Sequence, residues 1–394
     1  MLYEYIVYLC IVCIHKSILF IGIMINSKKK IVYTVTSLGN SGGIERVLIN
    51  KVNWLIKNGG YDVYIITEDS KDPFYQVDPR INILSLNITK RFSKYLIIRL
   101  FRLVVFLICY GFKISRFLRQ INPGIVISAN ARDNIILPFV HRKSKKIYEY
   151  HWIVSKKYSK NKQWKGCISK KVADVIGNRY DSIILLTKQD KLYNNNNWSN
   201  VEVIPNARTF TCDTPAKLSR NRAIAVGNLF HIKGFGRLLD VWRIVHQRHP
   251  DWSLSIYGDG YLREELQLKI DNLSLTDVVK LEGKIMDIKD AYIQSSFSLC
   301  SSYEESFSMV ILEAQTCGLP VVAFDCPYGP SEIINDRIDG FLIPDGEIQN
   351  FADKVCLLIE NEELRKKMGH NAFNNSERFA EDKIMSLWIQ LFDK

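Results

Sequence analysis

Residues 297–325 read FSLCSSYEESFSMVILEAQTCGLPVVAFD, and this stretch decides the fold. FSLCSS is a short apolar run of the kind that forms a buried strand. MVILEAQTC continues as an apolar helix, closed by Gly318. LPVVAFD is a second strand-like run, rich in valine. Strand, helix and strand in immediate succession make a βαβ unit of a parallel sheet. In such units ligands gather where strands end and helices begin, because the first backbone N–H groups of a helix have no partner within it. The turn here carries Glu305 at the carboxyl end of the strand. Ser306, Phe307 and Ser308 begin the helix, and Glu313 follows eight residues after Glu305. One carboxylate can accept from sugar hydroxyls, the helix start can take a phosphate, and the second carboxylate can bridge a ribose diol. The spacing alone fits equally well an ordinary surface helix with solvated glutamates.

The same alternation extends in both directions. Upstream, 31–38, 61–69, 81–87, 124–130, 146–152 and 182–187 read as strands, and 42–59 reads as a helix closed by glycine. Residues 191–198, KLYNNNNW, read as a loop, and 201–221 as a linker dense in Pro, Thr, Ser and Asn. Alternation then restarts with AIAVGNL, a helix over 233–250, WSLSIYGDG, a helix from Tyr261, VVKLEGKI, the opening stretch and GFLIP. The expected class is α/β, with two doubly wound Rossmann-like domains facing a shared cleft. The boundaries read as an N-terminal domain over 24–208 and a second domain over 209–375, for which the resemblance given below implies acceptor and nucleotide-sugar roles in that order. A helix over 376–394 is expected to pack back toward the first domain.

Residues 1–23 are an apolar extension, broken by His15 and Lys16 and lacking an A-x-A-like cleavage site. They are long enough to approach a bilayer. Met24 opens a normal domain start, so an unneeded extension or loose membrane contact is expected rather than a spanning helix. The 394 residues carry a net charge of +12, which suggests an anionic partner. Nine cysteines are scattered; Cys10-x-x-Cys13 has no second pair to make a zinc site, and the others sit as small apolar residues in a reducing compartment. No P-loop, dinucleotide fingerprint, zinc-protease helix, metal-holding Asp-x-Asp or hydrolase elbow occurs, so the expected site uses neither metal nor cofactor. No nucleic-acid motif occurs either. Residues 91–120 are apolar with recurring Arg and Lys, and 143–150 and 154–171 add positive charge. These read either as an anionic-membrane surface or as a core helix with a solvated edge.

Several landmarks in order resemble the retaining glycosyltransferases of family 4, which have the two-domain GT-B fold. They are SLGNSGGIERVL, LLTKQD with VEVIPNA, AVGNLFHIKGFGRLLDVW, WSLSIYGDG, Glu305-x7-Glu313 with EAQTCGLPVVAFD, and GPSEIINDRIDGFLIPDGE. The resemblance runs from about Lys30 to near the end. It implies that Glu305 meets the donor sugar, Glu313 holds the ribose and Lys233 pairs with the diphosphate. Ser306, Phe307, Ser308, Gly227, Asn228 and Gly258 would line the donor site, and Gly42 and Gly43 would let the first loop approach phosphates and acceptor. His151 matches a histidine placed near the reacting sugar; by itself a lone histidine reads as readily as structural.

Two departures stand out. Asn228 replaces the arginine of Gly-Arg-Leu, leaving Lys233, Arg222 or Arg237 to answer the phosphate charge. Ser306 and Ser308 stand where the family has glycines. The implied reaction is metal-independent hexosyl transfer from a UDP-sugar to a lipid-linked or growing capsular or surface saccharide. The implied location is cytoplasmic, with peripheral contact at the inner face of the plasma membrane. The rival readings are a GT-B epimerase or phosphorylase and a non-catalytic sugar-nucleotide-binding subunit.

Overall fold

The computed structural model describes residues 28–40, 42–88, 96–129, 135–151, 174–193 and 198–394. The extension over 1–23 and the basic run 154–171 lie outside the described residues. The chain divides into two compact units. One takes the chain up to Asn40 together with Lys51–Lys146, and the other takes Ser41–Asn50 together with Ile147–Lys394.

Thirteen strands among the described residues form two sheets. The first has β1 (Lys30–Val35), β2 (Asp62–Thr67), β3 (Asn82–Ser85), β4 (Ile125–Ser128), β5 (Lys145–Glu149), β6 (Ser182–Leu185) and β7 (Val201–Val203). Its order is β3-β2-β1-β4-β5-β6-β7. The second has β8 (Arg222–Val226), β9 (Ser253–Tyr257), β10 (Val279–Gly283), β11 (Phe297–Cys300), β12 (Val321–Phe324) and β13 (Gly340–Ile343), in the order β10-β9-β8-β11-β12-β13. Every described strand pairing is parallel, with Ile31 opposite Ile125 in one sheet and Leu299 opposite Val322 in the other. Strands buried on both faces explain the continuous Val/Ile/Leu runs. The doubly wound α/β reading holds, and both sheets reverse direction of travel at a central strand, β1 in the first and β8 in the second.

The helices are α1 (Gly43–Asn58), α2 (Leu96–Ile121), α3 (Lys188–Tyr193), α4 (Phe235–Arg248), α5 (Arg263–Asn272), α6 (Lys289–Ile293), α7 (Met309–Thr316), α8 (Gly329–Ile333), α9 (Ile348–Glu360), α10 (Glu362–Ser376) and α11 (Glu381–Asp393). The core of the second sheet is apolar and aromatic: Trp242 of α4, Phe297 of β11, Phe324 of β12 and Phe351 of α9 are fully buried together.

Three local expectations change. The stretch read as a linker begins with a strand: β7 pairs in parallel with β6, as an edge of only three residues followed by Pro205. That is too short to show alternation. The stretch read as a loop begins inside α3, which runs to Tyr193. The C-terminal segment is broken: a 3-10 turn over Glu377–Phe379 ends at extended Ala380 before α11 starts.

Candidate active site

The site is built on β11, the buried strand between β8 and β12. Beyond Cys300 the chain turns through Ser301–Ser308 into α7. Glu305 lies in this turn and is buried. Its Oε1 accepts two hydrogen bonds, from Lys233 Nζ at 2.7 Å and from Ser302 Oγ at 2.7 Å. Lys233 comes from the next strand over, in a 3-10 turn (His231–Lys233) beyond β8. Burial pulls the Lys233 pKa down, but the adjoining Glu305 carboxylate outweighs it and leaves the ammonium above its ordinary value. Lys233 therefore carries its charge at neutral pH.

The two loops meet closely. Tyr303 N donates to Ile232 O at 2.8 Å, and Ser301 Oγ donates to Lys233 O at 3.1 Å. Gly234 makes this approach possible. Its φ is 65°, and a Cβ there would lie 2.0 Å from the Ser301 carbonyl oxygen. Gly258 plays the same part between β8 and β9: a Cβ at its φ of 143° would fall 1.9 Å from Gly227 O. Gly227 N in turn donates to Tyr257 O at 2.9 Å. Asn228 is exposed beside them, with its carbonyl accepting from Phe230 N at 2.7 Å.

Arg237, in the first turn of α4, secures the Glu305 turn from behind. Its Nε donates to Ser301 O at 2.7 Å, its Nη2 to Ser302 O at 2.6 Å and its Nη1 to Asp345 at 2.6 Å. The guanidinium lies 3.9 Å from the ring centroid of Tyr303 and 4.0 Å from that of Phe324. Of the basic residues considered for the phosphate charge, Arg237 is thus buried and committed to two carbonyls and a carboxylate. Arg222 is committed as well, to Ser255, Tyr257 and Glu282. The sequence signal for Arg237 was its place within the apolar face Phe235, Leu238, Leu239, Trp242, all buried.

The helix itself begins at Met309, later than the sequence suggests, with Ser308 as its cap. Ser308 sits at φ 59°, in the left-handed region, and its side chain makes no cap hydrogen bond. That conformation costs a non-glycine residue about 1 kcal/mol, which is the physical content of a serine where the resemblance implies glycine. Phe307 is buried edge-on against Phe379 with centroids 5.5 Å apart, so only its backbone can face a ligand. Ser306 is half-buried.

Glu313 lies in the second turn of α7 and is also buried. Arg46 Nη1 at 3.1 Å and Thr209 Oγ1 at 2.9 Å both donate to its Oε1. Burial pushes the Glu313 carboxyl above its ordinary range, and Arg46 and Thr209 pull it part of the way back. Asn50 Nδ2 donates to Thr209 O at 3.1 Å, bracing that arrangement. Arg46, Asn50, Thr209 and Glu313 all belong to one compact unit. Gly43 opens α1 with its Cβ position 3.8 Å from Met309 Cγ, and Gly42 O accepts from Arg46 N at 3.2 Å. Arg46 and Thr209 were not singled out from sequence, since one sits three residues after a glycine pair and the other in a supposed linker.

A model of the family Glycosyl transferases group 1 matches residues 211–375. A Haemophilus influenzae protein described as an uncharacterized glycosyltransferase is 31% identical over 369 residues, spanning 91% of this chain and 99% of the relative. The chain belongs to the group 1 glycosyltransferases. Among other relatives, the Erwinia amylovora amylovoran biosynthesis glycosyltransferase AmsD is 28% identical, covering 92% of this chain and 99% of its own. A Campylobacter jejuni N-acetylgalactosaminyltransferase acting on a diNAcBac-PP-undecaprenol-linked saccharide is 24% identical, over 92% and 98%. Of solved structures, S. aureus TarM in complex with UDP and α-GlcNAc-glycerol superposes with a TM-score of 0.76 at 17% identity, over 93% of this chain and 100% of TarM. That likeness supports the GT-B fold.

In this glycosyltransferase, then, Lys233, Glu305, Ser306, Phe307 and Ser308 converge at the ends of β8 and β11, with Gly227, Asn228 and Gly258 at the ends of β8 and β9. Glu313 stands a little over one turn into α7. His151 follows the end of β5; it is buried, with Nε2 3.5 Å from Glu149 Oε1.

Proposed function

We propose that this glycosyltransferase is a retaining family 4 enzyme that moves a hexosyl group from a UDP-sugar to a saccharide or lipid-linked saccharide, without a metal, at the cytoplasmic face of a membrane. The observation that carries this reading is the Lys233–Glu305 pair beside the start of α7. A donor diphosphate offers Lys233 a more highly charged partner than the single carboxylate of Glu305. On binding, the diphosphate takes Lys233 and the free N–H groups at the head of α7. Glu305 is thereby released from the ammonium and accepts hydrogen bonds from the sugar hydroxyls. Glu313 takes the ribose diol, and His151, oriented by Glu149, contacts the sugar.

The reaction breaks the anomeric C–O bond to the diphosphate and forms one to the acceptor oxygen on the same face, through an oxocarbenium-like state. The leaving diphosphate accepts the acceptor's proton. Lys233 stabilises the charge that develops on it, the part that a divalent cation plays in other transferases. Support for the donor comes from the UDP in TarM, and for the acceptor from the undecaprenol-linked substrate named for the Campylobacter relative.

The test incubates the protein with radiolabelled UDP-sugars and undecaprenyl-linked saccharides, with and without EDTA. Transfer of label with retained anomeric configuration, insensitive to EDTA and abolished in Glu305→Ala and Lys233→Ala, supports the reading. UDP binding with no transfer to any acceptor would instead favour a non-catalytic nucleotide-sugar-binding subunit, the reading that exposed Asn228 in place of arginine favours.

A further inference from the structure

Helix α2 has an outer face that is apolar where a surface helix is ordinarily polar. Its inner side is conventional: Phe106, Tyr110, Ile114 and Leu118 are buried. Among the residues whose side chains are described, the opposite side presents Val105, Ile108 and Phe112, which recur at helical spacing. Ile108 is 66% exposed and Phe112 69%. A globular helix turns such residues inward. The segment 135–139 widens the patch. Ile136 lies against Gly111 of α2, 3.4 Å from that glycine's Cβ position, and its neighbours Ile135 and Phe139 are both exposed.

The rim of this patch is basic. Arg116 and Arg119 continue the same outer face of α2 one turn beyond Phe112, and both are exposed. Arg142 and Lys143, exposed as well, follow Phe139. An apolar centre with a one-signed cationic rim matches the boundary between anionic headgroups and acyl chains, where rings and branched chains enter the interface and arginines meet phosphates. No helix among the described residues is long and apolar enough to cross a membrane, so this patch would lie on a bilayer and not span it.

We propose that the outer face of α2, with the adjoining 135–143 segment, docks this enzyme on an anionic bilayer. The net charge of +12 favours that occupant over an acidic-poor protein surface. The proposal deepens the lipid-linked acceptor reading above and rests on it for its purpose, though not for its test.

The test is flotation of the full chain with vesicles of phosphatidylcholine alone or mixed with phosphatidylglycerol, at low and high salt. The variants are Ile108→Asp/Phe112→Asp and Arg116→Glu/Arg119→Glu, with UDP affinity measured on each as a check of folding. The wild type is expected to float with the anionic vesicles, weakly at high salt, and not with phosphatidylcholine alone. The apolar pair should weaken partitioning about tenfold or more, and the charge reversal at least as much, with UDP affinity unchanged. Wild-type protein that stays unbound overturns the proposal, as does a double variant that floats like the wild type. A concentration-dependent dimer that Ile108→Asp/Phe112→Asp converts to monomer also overturns it, by making the face a contact between copies. Transfer to lipid-linked acceptor in detergent without vesicle binding sinks only the docking face; vesicle binding without any transfer sinks only the assigned reaction.

Discussion

Glu305 and Glu313 leave the same strand–turn–helix unit, both are buried and both hold a cation, yet they are fixed in different ways. Glu305 sits in the turn and pairs with Lys233 of the neighbouring strand end, while Arg237 clamps the carbonyls leading into it. Glu313 sits within α7, and its partner Arg46 comes from 267 residues earlier, with Thr209 on the same oxygen. A turn positioned by a buried guanidinium is suited to holding one carboxylate against a reacting centre. A carboxylate fixed within a helix, past its first turn, is suited to holding a part of the ligand that does not react.

The sharpest way to break this distinction is to remove each member in turn. Glu305→Ala or Lys233→Ala should lower kcat by about 100-fold to 1,000-fold, as expected when a group acting on developing charge is lost, measured in single-turnover transfer. Glu313→Ala should weaken UDP binding by about tenfold to 100-fold, the loss of a charge-assisted diol contact, read by calorimetry with UDP alone. Arg237→Ala should lower kcat by about tenfold and destabilise the fold by about 2 kcal/mol, because two buried carbonyls lose their donors. Arg237→Lys should recover stability only in part, since an ammonium cannot serve three acceptors from one planar fork; kcat recovering in step with order of the turn, with KM for donor little changed, marks positioning and not general folding.

Much of this was legible in sequence. The βαβ grammar of 297–325, the glycine-closed helix after SGGIERVL and the two-sheet plan follow from periodicity, because strands buried on both faces must be continuously apolar. Glu305 and Glu313 stood out as candidates on their spacing, and Lys233 on the family resemblance. That Lys233 and Glu305 are one another's partners was not, since the pairing depends on β8 lying beside β11, a crossover that local pattern does not encode. Arg46 and Thr209 were missed for the same reason. The role of Arg237 was left open because an arginine on an apolar helix face gives no sign of which carbonyls it will meet. Strand β7 was missed because three residues are too few to show a period.

The two carboxylates also differ in how pH acts on them. Glu313 has a folded pKa above its ordinary 4.5, so its contribution to stability is complete below that value and is lost as pH rises through the folded pKa. Denaturation midpoints of wild type relative to Glu313→Gln should therefore fall as pH rises above 4.5. Lys233 is raised too, so its share is complete below 10.5 and fades only as pH climbs through the still higher folded value; the wild type relative to Lys233→Met should lose nothing as pH rises through neutrality. The smallest effect belongs to the helix cap. Ser308→Gly relieves a left-handed serine and should stabilise the protein by about 0.5–1 kcal/mol in urea unfolding.

The division of labour between the two glutamates is tested most directly by measuring UDP affinity and single-turnover transfer side by side in Glu305→Ala and Glu313→Ala. Glu305→Ala is expected to bind UDP as tightly as the wild type or more so, with Lys233 freed, and to lose transfer. Glu313→Ala is expected to bind UDP weakly and to regain most of its transfer rate at saturating donor. The opposite pattern, with Glu305→Ala losing UDP and Glu313→Ala losing transfer at full occupancy, would contradict the account.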